Sequence, residues 1–356
     1  MPRCACLLCV TLLFVASGVH AASVTPPPTG LLRNVTFAGV PATARNGELL
    51  RRLVSPLTAR RTVHALGDNP QALDASPIDP VEQHFAVYVP PTPGTTGYAL
   101  LVFVPPWKDA RVPIQWIPTL NRTHTIFVTA AGSGNDANVL NRRDPLALLA
   151  AAGVMQRYSV NPARVYVGGF SGGSRVALRL ALGYPDVFRG ALLDAGSDPI
   201  GTAAVPLPPA DLLHTFQARS RIVFLDGDHD FIHQAQRARA SDALKHWCIA
   251  QTHSLTLFDT PHVLASAAGF GAALAWLMRE AKPDPARRAT CRAARQAALA
   301  KSLAGVKAAI DAGDAPHALQ RLREVDANYG NLAAPAILQN LHAIGALSAH
   351  PDAPRP

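Results

Sequence analysis

The sequence predicts an α/β protein: a mainly parallel sheet with helices on both faces, followed by a C-terminal helical appendage. Three observations carry this. From residue 83 onward, short apolar runs of strand length recur as HFAVYV, YALLVFV, HTIFVTA, RVYVGG, GALLDA, RIVFLD and SLTLF. Helix-length segments separate the later runs, at 145–158, 172–182, 231–247 and 266–281. Apolar strands alternating with helices imply a parallel sheet buried on both sides. Beyond Lys282-Pro283-Asp284-Pro285 the strand signals stop, and residues 286–350 read as about three helices, broken near Ala312-Gly313 and Tyr329-Gly330.

The chain of 356 residues is long enough for one large domain and an appendage. Apolar residues make up 49% of it and charged residues only 16%, which supplies a sizeable core and excludes global disorder. At the N-terminus, Arg3, the apolar stretch 7–16 and the small-residue site Val19-His20-Ala21 read as a secretory signal cleaved after Ala21. That stretch is shorter than the ~20 residues a membrane span needs. The expectation is an exported protein, secreted or periplasmic, with no stable membrane span. Residues 22–82 follow as a lead-in with the first elements: Pro-rich 22–30, a short strand over 34–40 and an exposed helix in NGELLRRLVSPL. Residues 83–283 form the α/β core, which opens with an antiparallel region because its early strands have no helices between them. Residues 284–350 form the helical segment, read as a packing element, since they show no repeat period.

Export would remove Cys4, Cys6 and Cys9 with the signal and leave Cys248 and Cys291, for which one disulfide is an open possibility. Neither lies in a C-x-x-C, so zinc or redox chemistry is not indicated. The net charge of +9 does not indicate nucleic acid. The basic residues are nearly all Arg in an Ala- and Pro-rich chain, and no dense basic run with interleaved aromatics occurs.

The strongest local signal is 165-VYVGGFSGGSRVALRL-180. A strand runs straight into Gly169-Phe170-Ser171-Gly172-Gly173 and a helix follows, which is G-x-S-x-G in the strand–turn–helix context that gives it meaning. So tight a turn strains the residue at its tip, and glycines two before and two after it remove crowding Cβ atoms. Ser171 is then presented above the sheet edge, with the helix dipole and the Gly172 N–H facing developing negative charge. A Walker loop would need Lys and Ser or Thr where Ser174 and Arg175 stand, and a dinucleotide fingerprint would need Gly at Phe170 or Ser171. Ser174 belongs to the first helical turn.

On these residues, and on 157-RYSVNPARVYVGGFSGGSRVALRLALGYPDVFRGALLDAGS-197, the chain resembles the α/β-hydrolase family. Within that family it is most similar to exported esterases of the polyhydroxybutyrate depolymerase and feruloyl esterase type. The resemblance covers most of the chain apart from the signal, the lead-in and the C-terminal helices. It implies a Ser–acid–His order along the chain, a small-molecule or polymeric ester as substrate and no cofactor.

A serine hydroxyl needs a base to take its proton and an acid to orient that base. By the family pattern the acid lies in the turn after RIVFLD and the His in the loop after SLTLF. That loop, 259-DTPHVLASAAGF-270, holds one His, His262; His253 and His246 are weaker candidates. The stretch 224-FLDGDHDFIHQ-234 offers the acid. Gly227-Asp228-His229-Asp230 fits the family's G-x-x-D, so Asp230 is expected, with Asp226 and then Asp228 as alternatives, and Asp194 and Asp198 more remote. An N-cap of the following helix is the bland reading of Asp230.

The same stretch also carries metal-like spacings. Asp226, Asp228 and Asp230 have the one-three-five spacing of a calcium loop, but Phe231 and Arg237 stand where Gly and Glu are required. His229 and His233 echo H-E-x-x-H, but with Asp in place of Glu and the first His in a turn. No metal is expected; the two histidines would line the pocket rim or solvate the turn. For the oxyanion, Gly172 is one expected donor. The family's His-Gly is replaced by Pro105-Pro106, which have no N–H, so Trp107 or Lys108 would supply the second. Trp107 and Phe170 are the expected substrate contacts, and 130-AAGSGND-136 could shape the pocket. A peptidase, a thioesterase and an inactive hydrolase-like binding protein remain open beside the esterase. The sequence leaves the oligomeric state undefined.

Overall fold

Apolar side chains on both faces of the strand runs demand cover on both sides, and the chain supplies it. The computed structural model describes residues 27–280 and 284–349; the signal reading of residues 1–21, with Cys4, Cys6 and Cys9, lies outside them. Eight strands form one sheet: β1 (Gly30–Val35), β2 (Phe85–Val89), β3 (Tyr98–Val104), β4 (Thr125–Ala130), β5 (Val160–Phe170), β6 (Gly190–Asp194), β7 (Arg221–Gly227) and β8 (Thr252–Leu257). Their order is β1-β2-β4-β3-β5-β6-β7-β8. β1 pairs antiparallel with β2, and β2 antiparallel with β4. From β4 through β8 every pairing is parallel.

The helices are α1 (Asn46–Leu53), α2 (Pro56–Ala65), α3 (Pro70–Asp74), α4 (Ile117–Arg122), α5 (Asp144–Arg157), α6 (Gly172–Gly183), α7 (Ala210–Arg219), α8 (Phe231–His246), α9 (Ala267–Leu277), α10 (Pro285–Asp311), α11 (Ala315–Tyr329) and α12 (Ala334–Ala349). One face of the sheet packs on α5 and α6 through Leu149, Val154, Val176 and Leu180. The other packs on α4 and α9 through Trp116, Leu120, Phe270 and Leu274. Because their pairings are parallel, β5, β7 and β8 all end on the same sheet edge, where the loops of open α/β folds gather ligands.

Several expectations need correction. The first strand is Gly30–Val35, ahead of the expected 34–40. The helix in NGELLRRLVSPL is not exposed. It ends at Leu53, with Leu49, Leu50 and Leu53 turned inward, and even Arg52 is buried, held by Glu48 and Asp186. Its partner α2 begins at Pro56, capped by Ser55. The last strand is an edge strand with alternating exposure, and Phe258, read as its end, lies beyond it and is 91% exposed. Helices α4 and α7 escaped the periodicity, because α4 is short and α7 follows a Pro-rich connection.

The breaks at Ala312-Gly313 and Tyr329-Gly330 do separate three C-terminal helices. These enclose a small core of their own around Val306, Leu322, Val325 and Ile337, which Leu57 of α2 joins. The buried Asp326 carboxylate accepts hydrogen bonds from Ser55 Oγ at 2.6 Å and Leu57 N at 3.0 Å. Asn331 Nδ2 donates to Val54 O at 2.6 Å. A disulfide between Cys248 and Cys291 ties α10 to the sheet domain.

Candidate active site

The turn between β5 and α6 is built as its glycines require. Ser171 has φ 54° and ψ −121°, a region that costs a non-glycine residue about 1–3 kcal/mol. A Cβ at Gly169 would overlap the Gly173 carbonyl, and one at Gly173 would overlap Val104 O. Gly172 is constrained as well, by the side-chain oxygen of Asn135. Ser174 locks the turn from beneath: its buried Oγ lies 2.6 Å from Gly169 O and 2.7 Å from Asp194 O.

Ser171 Oγ lies 3.0 Å from His262 Nε2, and His262 Nδ1 lies 2.7 Å from Asp230 Oδ2. With Nδ1–H donating to the carboxylate, Nε2 is left as the acceptor facing the serine hydroxyl. The three residues that the sequence singled out therefore form one hydrogen-bonded line across 91 residues of chain. Asp230 does stand at the N-cap of α8, yet its side chain makes no capping hydrogen bond. Both of its oxygens go to imidazoles instead, the second accepting from His233 Nδ1 at 2.7 Å.

The three other acids of this region have different places. Asp228 is half-buried and accepts from the backbone N–H groups of Thr260 and Asp259, each at 2.9 Å, which hold its carboxyl below the usual carboxylate range. It thus fastens the β7 turn to the loop that carries His262. Asp226 is buried beside Arg237, 3.4 Å away, and burial pushes its carboxyl up to about 7. Asp194 is buried too, accepts from Ala265 N at 2.8 Å and is pushed up to about 8 by burial. Trp116 Nε1 donates to the carbonyl of the same Ala265 at 3.0 Å, so the loop is pinned three residues past His262. Asp230 itself is 6% exposed; burial pushes it up, but the hydrogen bonds from His233 and His262 outweigh this and hold it below the ordinary range.

Asp230, His233 and His262 are the group of side chains, among the described residues, that could hold a metal ion, with donor atoms within 4.8 Å of one another. Each Nδ1 already points a proton at a carboxylate oxygen, so a cation there would have to displace both. His229 stands apart, exposed, 3.9 Å from Asp259, so the two histidines of the H-E-x-x-H echo do not converge.

The N–H groups of Gly172 and Trp107 make no hydrogen bond among the described residues. The Trp107 ring lies 6.2 Å from Phe170, under the guanidinium of Arg111 at 4.3 Å. Phe170 is buried, and its ring stacks on His262 at 5.0 Å. A cleft of about 410 Å³ opens directly beside Ser171 and Gly172. Neither aromatic is among its lining residues; Asn135, Arg143, Arg175 and Arg179 are. Sequence reasoning missed these arginines. The one signal it offered was their period, Arg175 and Arg179 one helical turn apart after Ser171.

A mostly parallel eight-stranded sheet in this order, with a strained serine between β5 and α6 and the acid and histidine loops after β7 and β8, decides the architecture. The chain has the α/β-hydrolase fold. No described protein family and no curated protein matches this sequence. Among solved structures, the chain is similar to the apoenzyme of S-formylglutathione hydrolase from Staphylococcus aureus, at 13% identity and a TM-score of 0.45, over 56% of this chain and 94% of that one. It is similar to a ferulic acid esterase at 13% identity and a TM-score of 0.40, over 54% and 89% of the two chains. Dipeptidyl peptidase 4 of Porphyromonas gingivalis is a third likeness, at 13% identity and a TM-score of 0.41, over 55% of this chain and 33% of that one.

Proposed function

We propose that the chain is an exported serine hydrolase that cleaves carboxylic esters through an acyl-enzyme intermediate. The observation that carries this reading is the single line from Ser171 Oγ through His262 to Asp230, at 3.0 and 2.7 Å. Ser171 Oγ attacks the ester carbonyl as its proton passes to His262 Nε2, and Asp230 stabilises the imidazolium that forms. The Gly172 N–H, with that of Trp107 as second donor, holds the oxyanion. Collapse of the tetrahedral intermediate breaks the ester C–O bond, and Nε2 returns the proton to the leaving alkoxide. Water then attacks the acyl-serine by the same route in reverse, releasing the acid and restoring the serine hydroxyl. No cofactor enters these steps.

Phe231 and Ile232, directly after Asp230, and Val263, directly after His262, are exposed. They give the site an apolar rim suited to a hydrophobic ester, free or polymeric. Export rests on the signal reading of residues 1–21 and fits the Cys248–Cys291 disulfide, which persists in an oxidising compartment. Secreted or periplasmic protein is expected to begin at Ala22.

The test is labelling with a fluorophosphonate together with hydrolysis of 4-nitrophenyl acetate and butyrate. Wild type should label once and turn over both esters, and Ser171→Ala should do neither. Wild-type protein that neither labels nor hydrolyses would remove the hydrolase reading and leave the binding-protein one. Parallel assays on a thioester and an anilide should be slower than on the matched ester.

A further inference from the structure

The cleft beside Ser171 carries an unusual charge. Its lining holds three guanidinium groups, Arg143, Arg175 and Arg179, against one carboxylate, Asp198. Each guanidinium donates only one hydrogen bond among the described residues: Arg143 to Pro105 O at 3.0 Å, Arg175 to Gln236 Oε1 at 3.1 Å and Arg179 to Ala204 O at 3.3 Å. Arg143 and Arg175 each also keep a buried Nε with no acceptor. Arg143 is only 3% exposed. The nearest acids leave this charge incompletely met. Arg175 Nε is 3.7 Å from Asp198, beyond hydrogen-bond reach. Arg179 Nε is 3.4 Å from Asp144, whose two oxygens have no hydrogen bond of their own. Buried guanidinium donors without acceptors are costly unless something binds them.

We infer that the ester this hydrolase cleaves also bears a carboxylate, which the Arg143–Arg175–Arg179 cleft receives while the ester carbonyl lies at Ser171. The inference rests on the serine-hydrolase reading. A planar fork of N–H donors matches a carboxylate two-to-two, and three such forks face one cleft. The spacing follows from α6. Arg175 and Arg179 stand four and eight residues beyond Ser171, so at 1.5 Å per residue the anion sits roughly 6 to 12 Å from the reacting carbonyl. Asn135, whose side chain covers Gly172, closes the same cleft and offers an amide to the bound group. Asp198 repels the bound carboxylate and so weakens its attraction to the cleft.

Two matched ester pairs test this on either side of the scissile bond: mono-4-nitrophenyl terephthalate against 4-nitrophenyl benzoate, and 4-acetoxybenzoate against phenyl acetate. In one pair the carboxylate ester should be preferred in kcat/KM by about tenfold at low salt, and the preference should shrink as ionic strength rises. Arg175→Gln should bring the ratio toward one. Asp198→Asn should raise it several-fold. Arg179 is a poorer choice, because its loss leaves the buried Asp144 without its cation.

Calorimetry with benzoate and benzamide supplies a readout that needs no turnover. Benzoate should bind wild type more tightly than benzamide does, and Arg175→Gln should abolish the difference. Ratios near one in both pairs, or benzoate binding unchanged in Arg175→Gln, would overturn the inference while ester turnover upholds the hydrolase reading. Absence of labelling and of all turnover would overturn that reading instead, and calorimetry would still decide the anion site.

Discussion

His233 and His262 stack face to face, with ring centroids 4.1 Å apart and planes at 10°, while each donates Nδ1–H to a different oxygen of Asp230 at 2.7 Å. With Phe170 also stacked on His262, the imidazole facing Ser171 is held by packing as well as by hydrogen bonds. His233 touches none of the reacting atoms, so it is a positioning residue that fixes Asp230. A hydrogen bond to a charged group contributes about 1.5–3 kcal/mol. His233→Ala should therefore lower kcat by roughly tenfold or more, with KM little changed. His233→Gln, which can offer an N–H to the same oxygen, should recover part of the loss. Equal effects of the two substitutions in steady-state kinetics would show that packing alone matters there.

The choice between carboxylates is open to a direct comparison. Asp230 is the acid bonded to His262, whereas Asp226 points to Arg237 and Asp228 to backbone N–H groups. Asp230→Asn should reduce kcat/KM by about three orders of magnitude or more, because the amide turns the imidazole to the wrong tautomer. Asp226→Asn should cost less than tenfold, and Asp228→Asn should act chiefly by loosening the loop from Phe258 to His262. A larger loss at Asp226 in the same ester assay would reassign the acid.

Beneath the site, Asp194 and Asp226 are both pushed up by burial, to about 8 and about 7. A carboxyl whose pKa is raised on folding favours the folded state while protonated. Unfolded, such a group ionises near 4, so its contribution is complete below about pH 4 and is lost as the pH rises toward the folded values. These two residues should make the urea midpoint fall between about pH 4 and pH 8. Asp194→Asn keeps an oxygen for Ala265 N–H and removes one ionisation, so its midpoint should fall less steeply over that range. An unchanged slope would mean that Asp194 does not titrate there. Asp230, held below the ordinary range, has the opposite sign: its contribution is present above the usual carboxylate pKa and is lost only as the pH drops through its own lower value.

How much of the molecule was legible in the sequence depended on how local the signal was. Gly169-Phe170-Ser171-Gly172-Gly173 could be read because the turn's sterics are written into five consecutive residues, and the succession of strands and helices followed from the apolar runs and the helix-length segments between them. His262 and Asp230 could be placed only by loop order, since nothing in their neighbours fixes a contact 32 residues away. The second imidazole on Asp230 was out of reach in another way. His233 lies three residues on, which looks like half of a metal motif, and only the start of α8 turns it back onto the carboxylate. The arginine cleft was hidden because its members come from α6 and from the turn before α5, far apart in the chain. The N-terminal strand and the burial of α1 were not legible, because tertiary pairing, such as Arg52 with Asp186, overrides the polarity of the residues.

The C-terminal helices make a last case, because their attachment has two separable parts. Asp326 and Asn331 dock α11 and the segment after it onto the start of α2 through buried hydrogen bonds. The Cys248–Cys291 disulfide closes a loop over a separation of 43 residues. In the chain-entropy picture a loop of that size is worth about 4 kcal/mol through the unfolded state. Replacing both cysteines by Ser should therefore lower stability in urea by up to that amount while leaving kcat/KM near wild type, since neither cysteine lines the cleft beside Ser171. Asp326→Ala should act differently, since it leaves the Leu57 N–H without an acceptor at a buried junction and removes the Ser55 link between α2 and α11. It should expose the C-terminal helices to limited proteolysis even with the disulfide intact. If the cysteine variant is the one that becomes protease-sensitive and Asp326→Ala does not, the covalent tether rather than the polar junction holds the helices in place.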